Sequence, residues 1–309
     1  MERESITTGT DAEASAPGWA APDAEASRDG AEPPRDDTGR DRPAWQLLLL
    51  VATLVTTTWA GAWHQGVNLL EEPGRWTLGV TYALALMAIL GVHEMGHYVL
   101  ARRRGARVSL PYFIPAPGAL GTFGAFIRMR GAVRDRASYF DIAVAGPLAG
   151  LVAALLALAV GLPGRPTGVH GGVTPTSSML FAGVYALTTG GSLTQPVQLG
   201  PLAFAGWLGL VVTALNLAPV GQLDGGHVAY ALLGRRRAAV LGTVTLALMT
   251  AVGLLYSRHW LVWAILLWAV AGTDHPAASD ERTPLSRGRR LLAITTFVLL
   301  AAIVLPWPV

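Results

Sequence analysis

The chain has 309 residues, of which 52% are hydrophobic and only 14% charged. Eleven of its 20 acidic residues fall within residues 1–42, leaving the remainder nearly free of carboxylates. Such a composition excludes an ordinary soluble domain and describes an integral membrane protein with a polar leader. The chain has no Cys, so disulfides and thiolate ligands are excluded, and only His, Asp or Glu can hold a metal. All 23 basic residues are Arg and cluster between apolar segments, so the sequence pI of about 9.6 reflects membrane topology, not nucleic-acid binding.

Residues 1–42 are rich in Ala, Asp, Glu, Pro and Gly without apolar periodicity, and are expected to be a disordered tail. No basic start and apolar core precede a cleavage site, so this leader is not a secretory signal peptide. Residues 43–273 are expected to form a membrane-embedded core, and residues 274–309 a loop and one more transmembrane helix. The fold class is all-α and polytopic, with about seven spans. The first runs from Trp45 to Trp63 and the second from Trp76 to Ala101. The third, Tyr139 to Leu162, contains Ala145-Gly146-Pro147-Leu148-Ala149-Gly150, where small residues admit a neighbouring helix and Pro147 introduces a kink. Asp141, near its start, is read as its cap. The fourth covers Leu202 to Leu223, the fifth Ala238 to Tyr256, the sixth His259 to Ala271 and the seventh Leu291 to Pro306. Met179 to Thr188 is too short to span and is placed at the interface.

Arg distribution orients these spans. The loops 102–136, 235–237 and 282–290 are Arg-rich, whereas the intervening loops carry only Arg75, Arg165 and Arg258. Placing the rich loops in the cytoplasm puts the N-terminus inside and the C-terminus outside.

The second span carries His93-Glu94-Met95-Gly96-His97. On a helix the two histidines are one turn apart and face the same way, so both can reach one metal ion, with Glu94 beside them to polarise a water there. Chance would supply such a pattern about 0.005 times at this chain's His and Glu frequencies, so a metal site is the better reading than a self-satisfied polar cluster. His93 lies nine residues before Arg102, roughly 13 Å below the cytoplasmic charges along a helix. Asp224, eleven residues before Arg235, falls at a matching depth if its stretch is helical, although Gly225 and Gly226 are expected to break that helix. His93, His97 and Asp224 would supply three zinc ligands and leave a fourth position for water, as a catalytic site requires. Asn216 is either a helix-packing amide or a donor to a substrate or transition-state oxygen. His227 is read as a loop or interface residue, with ligation as the alternative. His64, His170, His259 and His275 form no cluster.

The pairing of this motif with Asn216-Leu217-Ala218-Pro219-Val220-Gly221-Gln222-Leu223-Asp224-Gly225 resembles the site-2 protease family of intramembrane zinc metalloproteases, in its compact archaeal, bacterial and plastid-type form. The resemblance extends over roughly Trp76 to Tyr230. It implies one Zn2+ per chain held by His93, His97 and Asp224, with Glu94 as general acid/base and Asn216 as a substrate or oxyanion contact. It also implies hydrolysis of peptide bonds in or near the membrane segments of single-pass proteins by zinc-activated water. Some members insert a PDZ domain between the motifs; here about 40 residues separate spans three and four, too few for one. Spans six and seven extend beyond the six-helix arrangement of small members.

A helical substrate has its carbonyls engaged within its own helix, so it must be unwound before cleavage. Pro111, Pro115 and Pro117 preclude a regular helix over residues 108–130, and Thr122 to Met129 has strand character. A re-entrant hairpin between spans two and three, its edge strand pairing with unwound substrate, is therefore expected; a cytoplasmic surface loop is the alternative. Two other functions compete with the protease: a divalent-cation transporter, and an inactive relative acting as a scaffold. The first needs polar residues through the whole membrane depth, and the second has no use for Glu94. The protein is accordingly placed in the cytoplasmic membrane, with its active site toward the cytoplasm.

Overall fold

A computed structural model describes residues 43–130, 133, 135–164, 172–256, 258–272 and 284–308, within one compact unit, Asp41–Val309. The expected disordered tail, His170, His275, Arg134, Arg165 and Arg282 lie outside the described residues, as does the side chain of His259. The described helices are α1 (Pro43–Trp63), α2 (Thr77–Arg103), α3 (Arg136–Gly161), α4 (Met179–Thr189), α5 (Pro201–Leu217), α6 (Asp224–Leu233), α7 (Arg235–Leu255), α8 (His259–Ala271) and α9 (Arg287–Val304). Of these, α1, α2, α3 and α7 are long and apolar enough to cross a membrane.

Local chemistry sets the helix limits. Asp135, not Asp141, caps α3, its carboxylate accepting from the Ser138 backbone N–H at 2.7 Å. Asp141 lies in the second turn, where every backbone N–H already has a helical partner, so a capping role is corrected to an ion-paired one. Ser178 caps α4, and Gly190, at φ 64°, ends it after eleven residues, as its short apolar run suggested.

The core lies where α2, α3 and α5 meet, with Ile89, Leu151, Ala154, Leu158 and Leu210 buried together and Ile303 of α9 closing the cluster. Large apolar side chains such as Val55, Leu156, Leu248 and Ile265 face outward, the pattern of a bundle solvated by lipid.

Between α2 and α3 the chain forms four short strands, β1 (Arg107–Val108), β2 (Tyr112–Pro115), β3 (Thr122–Phe126) and β4 (Met129–Arg130). They nest as one antiparallel hairpin: Arg107 pairs with Arg130, Tyr112 with Phe126 and Phe113 with Ala125, and a register irregularity precedes the Pro115–Thr122 pair. The outer edge of β3 pairs with no other described strand. Side chains of α1, of His64 just beyond it and of α2 satisfy four carbonyls of the hairpin segment. Gln46 donates to Leu110 O at 3.0 Å, near the start of α1. At the hairpin tip, three successive carbonyls accept: Ala119 from His64 at 2.6 Å, Leu120 from the Tyr82 hydroxyl at 3.0 Å and Gly121 from Thr56 at 2.6 Å. From Gln46 to His64 is about 27 Å of helix, so the hairpin runs along nearly the whole of α1.

Candidate metal centre

The α2 helix turns His93, Glu94 and His97 into the bundle, where all three are buried. The opposing face of α3 accommodates them by having no side chain. A Cβ at Gly150 would lie 3.0 Å from the His93 Cβ, and one at Gly146 would overlap the His97 ring. The glycine pair four residues apart thus matches the histidine pair four residues apart, helix against helix. The small-residue motif of the third span does bring helices together, and its particular use is to make room for two imidazoles. The His97 Nδ1–H donates to the Ile142 carbonyl at 2.8 Å, which fixes the ring and turns Nε2 inward.

Asp224 arrives from a break between helices. Ala218 is extended (ψ 130°), as a residue before proline prefers, and Pro219 cannot continue α5. The chain turns through Gly221 at φ 46°, and Asp224 opens α6. Gly225 and Gly226 therefore begin a helix, whereas the sequence reading had them break one. They are required because the first turn of α6 presses on the preceding turn; a Cβ at Gly226 would meet the Val220 carbonyl at 2.7 Å.

The result is a triangle of donor atoms. Asp224 Oδ2 lies 3.3 Å from His93 Nε2 and 3.3 Å from His97 Nε2, and the two nitrogens are 3.1 Å apart. Two ligand atoms at tetrahedral angles on zinc stand about 3.3 Å apart, so the triangle has the size of a zinc site's face. In the neutral ring, protonation of His97 at Nδ1 leaves Nε2 as a lone pair facing another acceptor, the carboxylate. A cation between them removes that conflict. Among the described residues this is the group of His, Asp and Glu whose ligand atoms converge in this way. Asn216 directs its amide nitrogen toward the same point, 3.5 Å from His93 Nε2.

Glu94 lies beside the backbone N–H of Ile127 and opens, with the donor triangle, into a cavity of about 280 Å³. Residues Ala125 to Ile127 form one wall, at the end of β3. The stacked pair Tyr139 and His227, with ring centroids 5.5 Å apart, also lines it. His227 thus lines the cavity from within α6, rather than occupying a loop, and stays outside the donor triangle. Tyr139, the Ile142 carbonyl and the Ile127 amide were not singled out from sequence. Backbone groups have no sequence signature, and Tyr139 read only as the start of a span.

The sequence model of Peptidase family M50 matches residues 81–257, more than half of the chain. The chain belongs to that family. It is the site-2 protease family that the two motifs resemble, and the matched stretch carries His93, Glu94, His97, Asn216 and Asp224. Among curated proteins, "Probable zinc metalloprotease EGY2, chloroplastic" of Arabidopsis thaliana is 32% identical over 237 residues, covering 74% of this chain and 42% of its own length. "Probable zinc metalloprotease EGY1, chloroplastic" of the same plant is 31% identical over 234 residues, or 72% of this chain and 42% of the relative. A protein named "Probable zinc metalloprotease EGY3, chloroplastic", from Oryza sativa subsp. indica, is 33% identical over 270 residues, or 79% and 45%. The chain spans less than half the length of these relatives. Membership in family M50, together with the long apolar helices, makes this a membrane protein, and zinc is the metal that suits its donor set.

Proposed function

We propose that this member of family M50 is an intramembrane zinc metalloendopeptidase that hydrolyses peptide bonds in or near the transmembrane segments of other membrane proteins. The observation that carries the proposal is the His93–His97–Asp224 triangle with the Glu94 carboxyl in the same buried cavity. Zinc bound by these three residues supplies Lewis acidity toward a peptide carbonyl and toward water. The chain's own groups do the rest. Ile142 holds the His97 tautomer, Glu94 accepts a proton from the attacking water and returns it to the leaving amine, and the Asn216 amide donates to the carbonyl oxygen as it gains charge.

The hairpin supplies the substrate platform. It runs along about 27 Å of α1, close to the roughly 30 Å thickness of a bilayer's hydrocarbon, which supports a re-entrant placement. Extended backbone at that depth is tolerated only when its polar groups are satisfied by protein or by a wet cavity. The four side-chain bonds to Leu110, Ala119, Leu120 and Gly121 meet that condition for those carbonyls, and the β3 edge borders the cavity. The free edge of β3 then takes an unwound, single-pass substrate as a further strand and delivers it to the cavity beside Ala125 to Ile127. With seven spans read from the apolar runs, Arg distribution supports a cytoplasmic N-terminus and a site toward the cytoplasmic face of the cell membrane.

The test is Glu94→Gln in the full-length chain, with a tethered membrane reporter. Cleavage should fall by about 10² to 10⁴, while purified protein keeps its zinc. Undiminished cleavage refutes the mechanism. Wild-type protein that binds zinc and cleaves no membrane reporter points instead to the scaffold.

A further inference from the structure

The helix α9 lies beyond the stretch that the family model matches, yet it touches α6, which carries Asp224, and α3, whose Ile142 carbonyl holds the His97 ring. We propose that Asp141 and Arg289 clasp α9 against α3 and α6, making α9 a positioning element for His97 and Asp224. This inference rests on the metal-centre reading above.

Asp141 is the hub. Arg289 Nε donates to its Oδ1 at 2.8 Å and Nη2 to its Oδ2 at 2.9 Å, a bidentate pair, and Arg104 pairs with the same carboxylate. Arg104 is the residue that ends α2, seven residues beyond His97, so the Asp141 carboxylate ties the end of α2, α3 and α9 together. Asp141 also precedes Ile142, whose carbonyl holds the His97 ring. A shift of α3 at the clasp is therefore a shift of that acceptor.

Below the clasp, α9 acts as a wedge. Leu285, before its first turn, and Ala293 are buried in one cluster with Phe140 and Ala143 of α3 and Val228 of α6. Val228 lies one turn beyond Asp224. The α6 helix has ten residues, starts with two glycines after its Asp and has no side-chain cap, so it holds its place by packing. Its far end is tied to α3, where Arg136 donates to the Ala231 carbonyl at 2.5 Å and to that of Tyr230 at 3.3 Å. Loosening α9 takes away part of the packing that seats α6, and with it Asp224, against α3. Metal affinity demands donor atoms within about 0.2 Å of their proper distances, so small displacements are felt.

The experiment measures zinc affinity of the full-length protein by competition with a chelator. Asp141→Asn and Arg289→Ala are each expected to weaken it about tenfold, the lower end of the range for groups that support metal ligands. Because the chain has no Cys, Asp141→Cys with Arg289→Cys can be joined specifically by a short bismaleimide. The linked protein should regain near wild-type affinity, which loss of charge alone would not permit. Unchanged affinity in both single variants overturns the clasp while leaving the zinc site intact. Should Asp141→Asn fail to fold, Arg289→Ala and the linked pair decide, and a linked protein that stays weak also overturns it. Wild-type protein without zinc affinity refutes the metal centre itself, and the clasp with it.

Discussion

Replacing Gly146 by Ala adds one carbon and tests the helix-to-helix fit directly. Its Cβ would lie 2.5 Å from His97 Cε1, and closer still to Nε2 and Cδ2. Carbon contacts settle at about 3.5 Å or more, so the ring must retreat by about 1 Å. His97 is buried, and its Nδ1 bond to Ile142 at 2.8 Å opposes the movement. A donor displaced by about 1 Å is several times outside the 0.2 Å tolerance of a metal ligand. Zinc affinity should therefore fall by at least about 100-fold, the upper end for lost support of a ligand. Helix propensity points the other way, since Ala is favoured over Gly by about 1 kcal/mol in a helix interior. A variant that unfolds no more easily, yet has lost zinc, is the distinctive outcome. Chelator competition and thermal unfolding of the purified protein read the two effects separately. Gly150→Ala is the graded control, because its nearest contact is 3.0 Å and a few tenths of an ångström relieve it. Wild-type zinc affinity in Gly146→Ala would refute the placement of His97 against α3.

Three further outcomes follow from the same geometry. Asp224→Ala removes one corner of the donor triangle and should abolish stoichiometric zinc in metal analysis, whereas full retention removes Asp224 from the ligand set. Asn216→Ala should keep zinc, since its amide nitrogen is 3.5 Å from His93 Nε2, and should slow reporter cleavage by about 10² to 10³. Loss of zinc instead would assign Asn216 a ligand-holding role. Tyr82→Phe deprives the Leu120 carbonyl of its partner, at a cost of about 1–3 kcal/mol. Faster amide exchange over residues 112–126 and weaker substrate binding are expected with zinc unchanged, and wild-type exchange would show that this bond does not hold the hairpin.

Local information was enough for part of the site. His93, Glu94 and His97 were legible because one helical turn brings residues four apart onto one face, whatever surrounds them. The limits of α8 were legible for the same kind of reason, an apolar run bounded by polar residues. The depth match that pointed to Asp224 takes a coarser route, and the fold brings that carboxylate to the two histidines. Arg residues mark the membrane edge, and counting back from them needs no knowledge of packing; between Arg235 and Asp224 the chain is helical except at Gly234, where α6 ends and α7 begins.

What the sequence determined by itself, then, was membrane character, the long apolar helices and the metal-binding residue types, since these depend on hydrophobicity and on spacing along one helix; the end of α5 at Leu217 and the separate helix α6 were not among them. Tertiary structure decided the rest. Asp141 looked like a helix cap and is an ion-paired hub, because its partners Arg104 and Arg289 are distant in the chain and meet it only in the folded bundle. Gly146 and Gly150 looked like general small-residue packing, and only the register of α3 against α2 sets them opposite His97 and His93. The stacked pair lining the cavity, Tyr139 with His227, likewise exists only once α3 and α6 are side by side. The physical reason is common to all three. A side chain's role is set by what faces it across the bundle, and that partner is chosen by helix packing rather than by its neighbours in the sequence.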